Sequence, residues 1–172
     1  MYLNATRWYW NYPNIFILKL RIISVGHKMP AWVVEACAEY TKRMPRELQI
    51  EIIEIKPEKR AAGNSTQNVQ EAESKRILEV VGKDYLVACD ERGTEITTLQ
   101  LAEKLQNWQS LGKDISIIIG GADGLHASIK EVAGFVWGLS KLTLPHAFVR
   151  VLLCEQLYRA HTVNQNHPYH RE

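Results

Sequence analysis

The run Ile115-Ser116-Ile117-Ile118-Ile119 limits what this chain can fold into more than any other stretch. Branching at Cβ favours extended backbone over helix. A strand with almost no polar content has no face to offer to water. It therefore belongs at the centre of a sheet covered on both sides, the usual position of a strand in a parallel sheet. Gly120-Gly121 ends the run abruptly, and helix-length segments lie on either side of it.

The remaining segments fit that frame. Leu20 to Val25 is a compact strand-like run closed by Gly26. Leu48 to Ile55 alternates until its phase slips at Ile52-Ile53, which predicts either a bulge or a strand covered on both faces. Tyr85 to Cys89 reads as a short strand leading into a turn at Asp90-Glu91-Arg92-Gly93, and Leu139 to Leu144 is strand-like. Between these runs the period changes. From Ala31 to Met44, Trp32, Ala36 and Tyr40 recur every four residues with Val33 and Cys37 beside them, a single buried helical face that Pro45 ends. Val69, Ile77, Val80 and Val81 mark the inner side of a second helix. Leu101, Leu105 and Trp108 form the stripe of a third, Thr98 to Leu111, stopped by Gly112. Ala127 to Ala133 is a short helix, and Pro145 opens a long apolar one through about Thr162. Strands separated by helix-length connections predict an α/β fold, a mostly parallel sheet flanked by helices. One domain, residues 20–172, accounts for the pattern.

Composition narrows the function classes. A chain of 172 residues buries a core without disulfide staples. Cys37, Cys89 and Cys154 are an odd, unspaced set and read as reduced thiols of a cytoplasmic protein. With no CxxC, no HExxH and no zinc-like histidine spacing, no metal site is expected. A net charge of +2 means that any nucleic-acid site has to come from local clustering. Lys56, Lys59 and Arg60, in a surface loop from Lys56 to Gln67, lie near Lys42, Arg43 and Arg46 in sequence; they form either a phosphate-binding patch or a solvated loop. Residues 1–19 are rich in Trp, Tyr and Asn, and their apolar run Ile15 to Leu18 is too short for a signal-peptide core or a bilayer span. They read as an extension outside the fold, consistent with a start codon set too far upstream, and no membrane partner is expected.

Ligands of parallel α/β sheets bind beyond the carboxyl ends of the strands. Three loops answer that description: the one after Cys89, Gly120-Gly121-Ala122-Asp123-Gly124-Leu125, and the surroundings of Leu139 to Pro145. The glycine loop allows close backbone approach, but it is neither GxGxxG nor a Walker A sequence, which argues against a dinucleotide or nucleoside triphosphate. Ser140 lacks the nucleophile-elbow pattern. Glu155 is unusual inside an apolar helix, and Arg159, four residues on, offers it an ion pair. The terminal His167-Pro168-Tyr169-His170-Arg171 joins an aromatic ring, imidazoles and a guanidinium, groups matched to an RNA base and its phosphates. Composition alone leaves that open against an accidental histidine-rich end.

Taken in order, Val25 to Pro30, Ile118 to Leu125, Leu139-Ser140-Lys141-Leu142-Thr143-Leu144-Pro145-His146, Val149 to Ala160 and the tail Asn166 to Glu172 closely resemble the ribosomal RNA large subunit methyltransferase H family, of the SPOUT class. The resemblance covers roughly Leu20 to Glu172. It implies a SPOUT-type fold with a C-terminal trefoil knot, a homodimer, and S-adenosyl-L-methionine as methyl donor. The implied reaction is methylation of N3 of a pseudouridine in a 23S rRNA stem-loop, helix 69, of the assembled ribosome. Carried over by position, the cofactor contacts are Cys89, where relatives often have Leu, together with Gly120, Leu139, Ser140, Lys141, Leu142, Thr143 and Leu144. For catalysis, His170 is expected to accept or relay the N3 proton and Tyr169 to stack on or orient the base. Arg171 and Arg150 are expected to hold phosphate or steady the developing anion. The alternative is a non-catalytic RNA- or ribosome-binding module of the same fold; an enzyme acting on transfer RNA or on a small molecule is a further rival.

Overall fold

The computed structural model describes residues 17–26, 28–60 and 65–171, apart from the side chains of His170 and Arg171. Residues 1–16, most of the expected extension, lie outside the described residues, as does His27. Five strands, β1 (Leu18–Val25), β2 (Leu48–Ile55), β3 (Tyr85–Glu95), β4 (Ile115–Ile119) and β5 (Phe135–Gly138), form one parallel sheet in the order β2-β1-β4-β3-β5. The all-apolar run is the central strand, as its composition requires, and all of its residues are buried.

Side-chain alternation sends the sheet's apolar residues to two cores. Leu18, Leu20, Ile22, Val87, Ile115, Ile117 and Ile119 face α1 (Ala31–Thr41), α3 (Thr98–Gln109) and α5 (His146–Asn164). Ile23, Val25, Leu86, Ala88 and Ile118 face the opposite layer, α2 (Thr66–Val81) and α4 (Ala127–Val132). Ser116, the hydroxyl within the central run, is fully buried and donates to Asp84 Oδ2 at 2.6 Å. Arg21 binds the same carboxylate at 2.5 Å and the Val80 carbonyl at 3.1 Å, so the polar interruption is satisfied. The starts of α2 and α3 are capped by their own side chains, whereas α1 and α5 begin after prolines without a side-chain cap. Ser65 accepts from Asn68 N at α2, and Thr97 with Gln100 closes a capping box at α3.

Several expectations need correction. β1 begins at Leu18, so Leu18 and Lys19 belong to the sheet and not to an extension. The β1–β2 register runs unbroken through Ile52 and Ile53, which pack into opposite cores; the phase slip marks a strand covered on both faces and not a bulge. Asp90 to Gly93 is no terminal turn. Cys89 and Thr94 both pair with Trp137, so β3 bulges outward there and resumes. Leu139 to Leu144 is a loop; the strand lies just before it, at Phe135–Gly138. Trp32 is half exposed, because the buried stripe of α1 is centred on Val33 and Cys37. That helix ends at Thr41, before the turn that Pro45 closes.

α5 ends in a Schellman motif. Asn166 takes the left-handed conformation (φ 54°), Asn166 N bonds Val163 O at 3.1 Å, and His167 N bonds Thr162 O at 2.9 Å. Asparagine tolerates this conformation better than other side-chain-bearing residues. The reversal turns the terminal 3-10 helix, Pro168–Arg171, back along α5.

Gly93 gives the bulge a direct test. A Cβ there would lie 2.5 Å from both the Trp137 carbonyl carbon and the Gly138 nitrogen, backbone atoms that cannot swing aside. Gly112, at φ 63°, faces open space. Gly93→Ala should lower stability by about 1–3 kcal/mol through steric overlap. Gly112→Ala should cost only the backbone strain, about 1 kcal/mol. Urea unfolding midpoints measure both, and equal midpoints would contradict the close strand approach.

Candidate active site

A cleft of about 730 Å³ opens at the carboxyl ends of β3, β4 and β5. Its floor is Ile119, Gly120 and the turn through Leu125; one wall is Cys89 and Asp90, and the other is the segment from Leu139 to Leu144. Trp137, His146 and Val149 close the inner end. Of the residues expected to hold cofactor, Cys89, Gly120, Leu139, Ser140, Leu142, Thr143 and Leu144 line this one cleft. Lys141 does not; it is exposed on the outer side of its loop.

The floor is shaped by close contacts. Gly124 N bonds Gly121 O at 3.0 Å, with Gly124 at φ 78°. A Cβ on Gly120 would stand 2.8 Å from the Gly124 carbonyl carbon. Arg60 Nη2 donates to Asp123 Oδ2 at 2.7 Å and Gln70 Nε2 to Asp123 O at 2.6 Å, so the turn is braced from outside. Arg60, read as a candidate phosphate contact, is thus an ion-pair partner of the glycine turn. Lys42 and Arg43 pair with Glu39 on their own helix.

The opposite wall is a short loop whose Ser140 Oγ accepts from Leu142 N at 2.9 Å. That turn leaves Leu142 three-quarters exposed beside the cleft. Burial pushes the Cys89 thiol up to about 12, so it is a neutral, unreactive part of the wall. Burial alone would raise Asp90, but the Arg92 N–H and Lys130, 3.1 Å away, outweigh it and hold the carboxyl below its ordinary range. Asp90 is therefore an anion at the cleft edge.

Arg150 is not where a phosphate-gripping residue would be. Its side chain is only 2 % exposed, with Nη1 on Glu54 at 2.6 Å and Nη2 on the Gly26 carbonyl at 3.4 Å. Two of its nitrogens are engaged inside the fold, joining α5 to the ends of β1 and β2, and Nε is buried without a hydrogen-bond partner among the described residues. Beside it, His146 Nε2 is buried without a hydrogen-bond partner among the described residues. Burial lowers the affinity of this imidazole for a proton; the Arg150 charge lowers it further, and the Gly120 backbone and Glu54 oppose the shift.

Tyr169 lies outside the cleft. Its hydroxyl donates to Glu155 Oε1 at 3.2 Å, and its ring meets Tyr158 edge-on at 4.9 Å and Arg159 at 4.8 Å. Glu155 does pair with Arg159, at 2.7 Å. The backbone of His170 and Arg171 continues the 3-10 helix; their side chains are outside the described residues. Among the cleft residues, the sequence gives no role to Trp137, places His146 and Val149 only within motifs, and reaches Asp90 only as part of the loop after Cys89.

The His146 environment sets a pH dependence. Its folded-state affinity for a proton lies below the ordinary value of 6.5, so between those values the unfolded chain binds a proton that the folded chain does not. The stabilisation is complete above about pH 6.5 and is lost as pH falls toward the folded value; His161, lowered mainly by burial, acts in the same direction. Urea unfolding from pH 8 to 5.5 should show stability falling on acidification, with a shallower slope in His146→Gln. Stability that rises on acidification would refute this.

Comparison with known proteins identifies the fold and the family. The family model described as "Predicted SPOUT methyltransferase" matches residues 18–170. The chain is 66 % identical over 155 residues to ribosomal RNA large subunit methyltransferase H of Methylobacillus flagellatus, covering 90 % of this chain and 100 % of the relative. It is 54 % identical to the protein of that name from Burkholderia cenocepacia, covering 90 % and 99 %. Among solved structures, a probable methyltransferase from Bordetella pertussis aligns with a TM-score of 0.54 at 13 % identity, over 85 % of this chain and 95 % of that one. A probable methylase family protein from Haemophilus influenzae aligns at 0.53 and 15 % identity, over 90 % and 70 %. These two distant likenesses concern the fold alone. On the family model and the sequence identities, this protein belongs to the ribosomal RNA large subunit methyltransferase H family of SPOUT methyltransferases.

Proposed function

We propose that the protein transfers the methyl group of S-adenosyl-L-methionine to N3 of a pseudouridine in helix 69 of 23S rRNA, in the assembled ribosome. The observation that carries this reading is the cleft itself, at the carboxyl ends of three parallel strands and built from the segments that the motif resemblance assigns to the cofactor. Its volume, about 730 Å³, lies in the range of small-molecule sites. Exposed Leu142 together with Leu139, Leu144 and the neutral Cys89 offers apolar walls for an adenine. The glycine floor admits a ligand close to backbone. Asp90 is an acceptor at the edge. These residues fit the cofactor of the family.

When bound, that cofactor supplies an activated methyl on a sulfonium centre, and the chain's own work is alignment, exclusion of water and handling of the N3 proton. His170 takes or relays that proton, and Arg171 holds phosphate. Arg150 acts through the fold, fixing Gly26 and Glu54 beside His146. Tyr169 orients the tail through contacts with α5. The ribosomal substrate is supported by the names of the relatives, which specify ribosomal RNA of the large subunit.

A homodimer and a C-terminal knot belong to the same reading, as does a cytoplasmic location. The tail lies against α5 at Glu155, nine residues along the helix from His146, or about 13 Å of helix rise. A second protomer would bring a tail to the cleft from outside. Among the described residues no helix is long and apolar enough to cross a membrane.

Single-turnover methylation of ribosomes from a strain lacking the enzyme tests the chemistry. His170→Ala should slow the step by about 10²–10⁴-fold with unchanged affinity for S-adenosyl-L-methionine. An unchanged rate would remove His170 from proton transfer. Mass spectrometry of the product rRNA should place one methyl on a pseudouridine; a methyl elsewhere would reject the substrate, and a chain that never binds the cofactor would favour a non-catalytic RNA-binding module.

A further inference from the structure

We propose that Glu155 is a positioning residue that clamps the C-terminal tail onto α5 and so presents His170 and Arg171 for methyl transfer. The inference deepens the proposed function and rests on its assignment of chemistry to the tail.

Glu155 lies, with Gln156, among the apolar residues Val151, Leu153, Cys154 and Leu157 of α5. A carboxylate there loses much of its hydration and needs a full set of donors. It receives three. Arg159 Nε donates to Oε1 at 2.7 Å, Tyr169 Oη to Oε1 at 3.2 Å, and Gln156 Nε2 to Oε2 at 2.7 Å. An ion pair with Arg159 alone would explain two of these four residues. The hydroxyl of Tyr169 comes from a separate segment, fourteen positions away, and is brought in by the Schellman turn at Asn166.

The same tyrosine is held on every side that the structure describes. Arg159 lies over its ring at 4.8 Å and donates to its backbone carbonyl at 3.5 Å, while Tyr158 packs edge-on. Tyr158 in turn meets Tyr40 at 6.2 Å and lies under Arg43. The network continues away from the tail, because Thr98 Oγ1 donates to Gln156 Oε1 at 2.9 Å and so ties the cluster to the start of α3. Burial holds the Tyr169 hydroxyl up to about 12, with Tyr40 and Glu155 adding to the shift, so it remains a donor throughout the physiological range. A tail bound only for stability would need the apolar contacts. A charge-assisted clamp adds orientation: it fixes the residue immediately before His170 in rotation as well as in distance.

The experiment combines two measurements on the full-length protein. Amide hydrogen exchange of residues 167–171 reads the clamp without reference to activity. Single-turnover methylation of ribosomes at saturating S-adenosyl-L-methionine reads its consequence. Glu155→Ala should speed tail exchange and slow methyl transfer by about tenfold or more, with cofactor affinity changed less than about twofold. Glu155→Gln, which keeps an acceptor for the tyrosine hydroxyl but loses the charge that Arg159 pairs with, should fall between Glu155→Ala and the unaltered protein in both tail exchange and rate. Adding Tyr169→Phe to Glu155→Ala should slow the step no further, because both remove one contact. Unchanged tail exchange in Glu155→Ala would overturn the clamp and leave the proposed function standing. Faster exchange with an undiminished rate would overturn the positioning role of Glu155, while the tail's part in catalysis is decided separately by His170→Ala. A loss of cofactor affinity as large as the loss of rate would make Glu155 a general structural residue and reject the proposal.

Discussion

The burial of β4 on both faces is the constraint on which the rest of the molecule depends. Ile117 and Ile118 are fully excluded from solvent on opposite sides of the sheet, so helices must cover both faces, and the chain needs crossovers in both layers to supply them. The one hydroxyl in that strand, on Ser116, is compatible with its place because Asp84 accepts from it and Arg21 pairs with that carboxylate. With β4 fixed between β1 and β3, Gly120 emerges at the same end as Asp90 and Leu139. Three loops far apart in sequence are thereby made neighbours. The cleft is a by-product of strand order.

Much of this was legible in the sequence because burial leaves a periodic trace. The runs that mark β1, β2 and β4 and the apolar stripes of α2 and α3 coincide with those elements, while β3 continues six residues beyond its legible run. The failures share a cause: apolar pattern reports removal from water and not hydrogen bonding. Leu139 to Leu144 looks like a strand because its leucines face a cleft, while Phe135–Gly138, which is the strand, is too short to show alternation. Trp32 was placed on the wrong side of α1 because a large apolar residue was assumed to be inside, yet Val33 and Cys37 fill that position. Asp90 to Gly93 contains turn residues and does leave the ladder, but the strand returns to pair with Trp137 a second time, which no local signal encodes.

The site divides along the same line. Residues placed by the backbone, such as Gly120 and Cys89, are legible from motif and strand position, and both line the cleft. Arg150 shows the limit of such reading, since sequence displays a cation and conceals the Glu54 and Gly26 groups that it meets 96 and 124 residues away. Glu155 was noticed for its incongruity, and its link to Arg159 was readable at helical spacing; its bond to Tyr169 depends on the chain reversal at Asn166. An asparagine two residues beyond a helix is a recognisable stop, although nothing in it states where the following segment will land.

The strand order has a consequence for how the chain is made. β1, among the first described segments to leave a synthesising ribosome, pairs along one edge with β2 but along the other with β4, whose Ile115 meets Leu20 across 95 residues of sequence. Until β4 has emerged, that edge of β1 presents unpaired N–H and C=O groups next to the apolar side chains of Leu20, Ile22 and Ile23. Such late closure of a parallel sheet favours slow folding and a long exposure to wrong partners. The nascent chain therefore carries an open edge on β1 for as long as β4 has not emerged to pair with it.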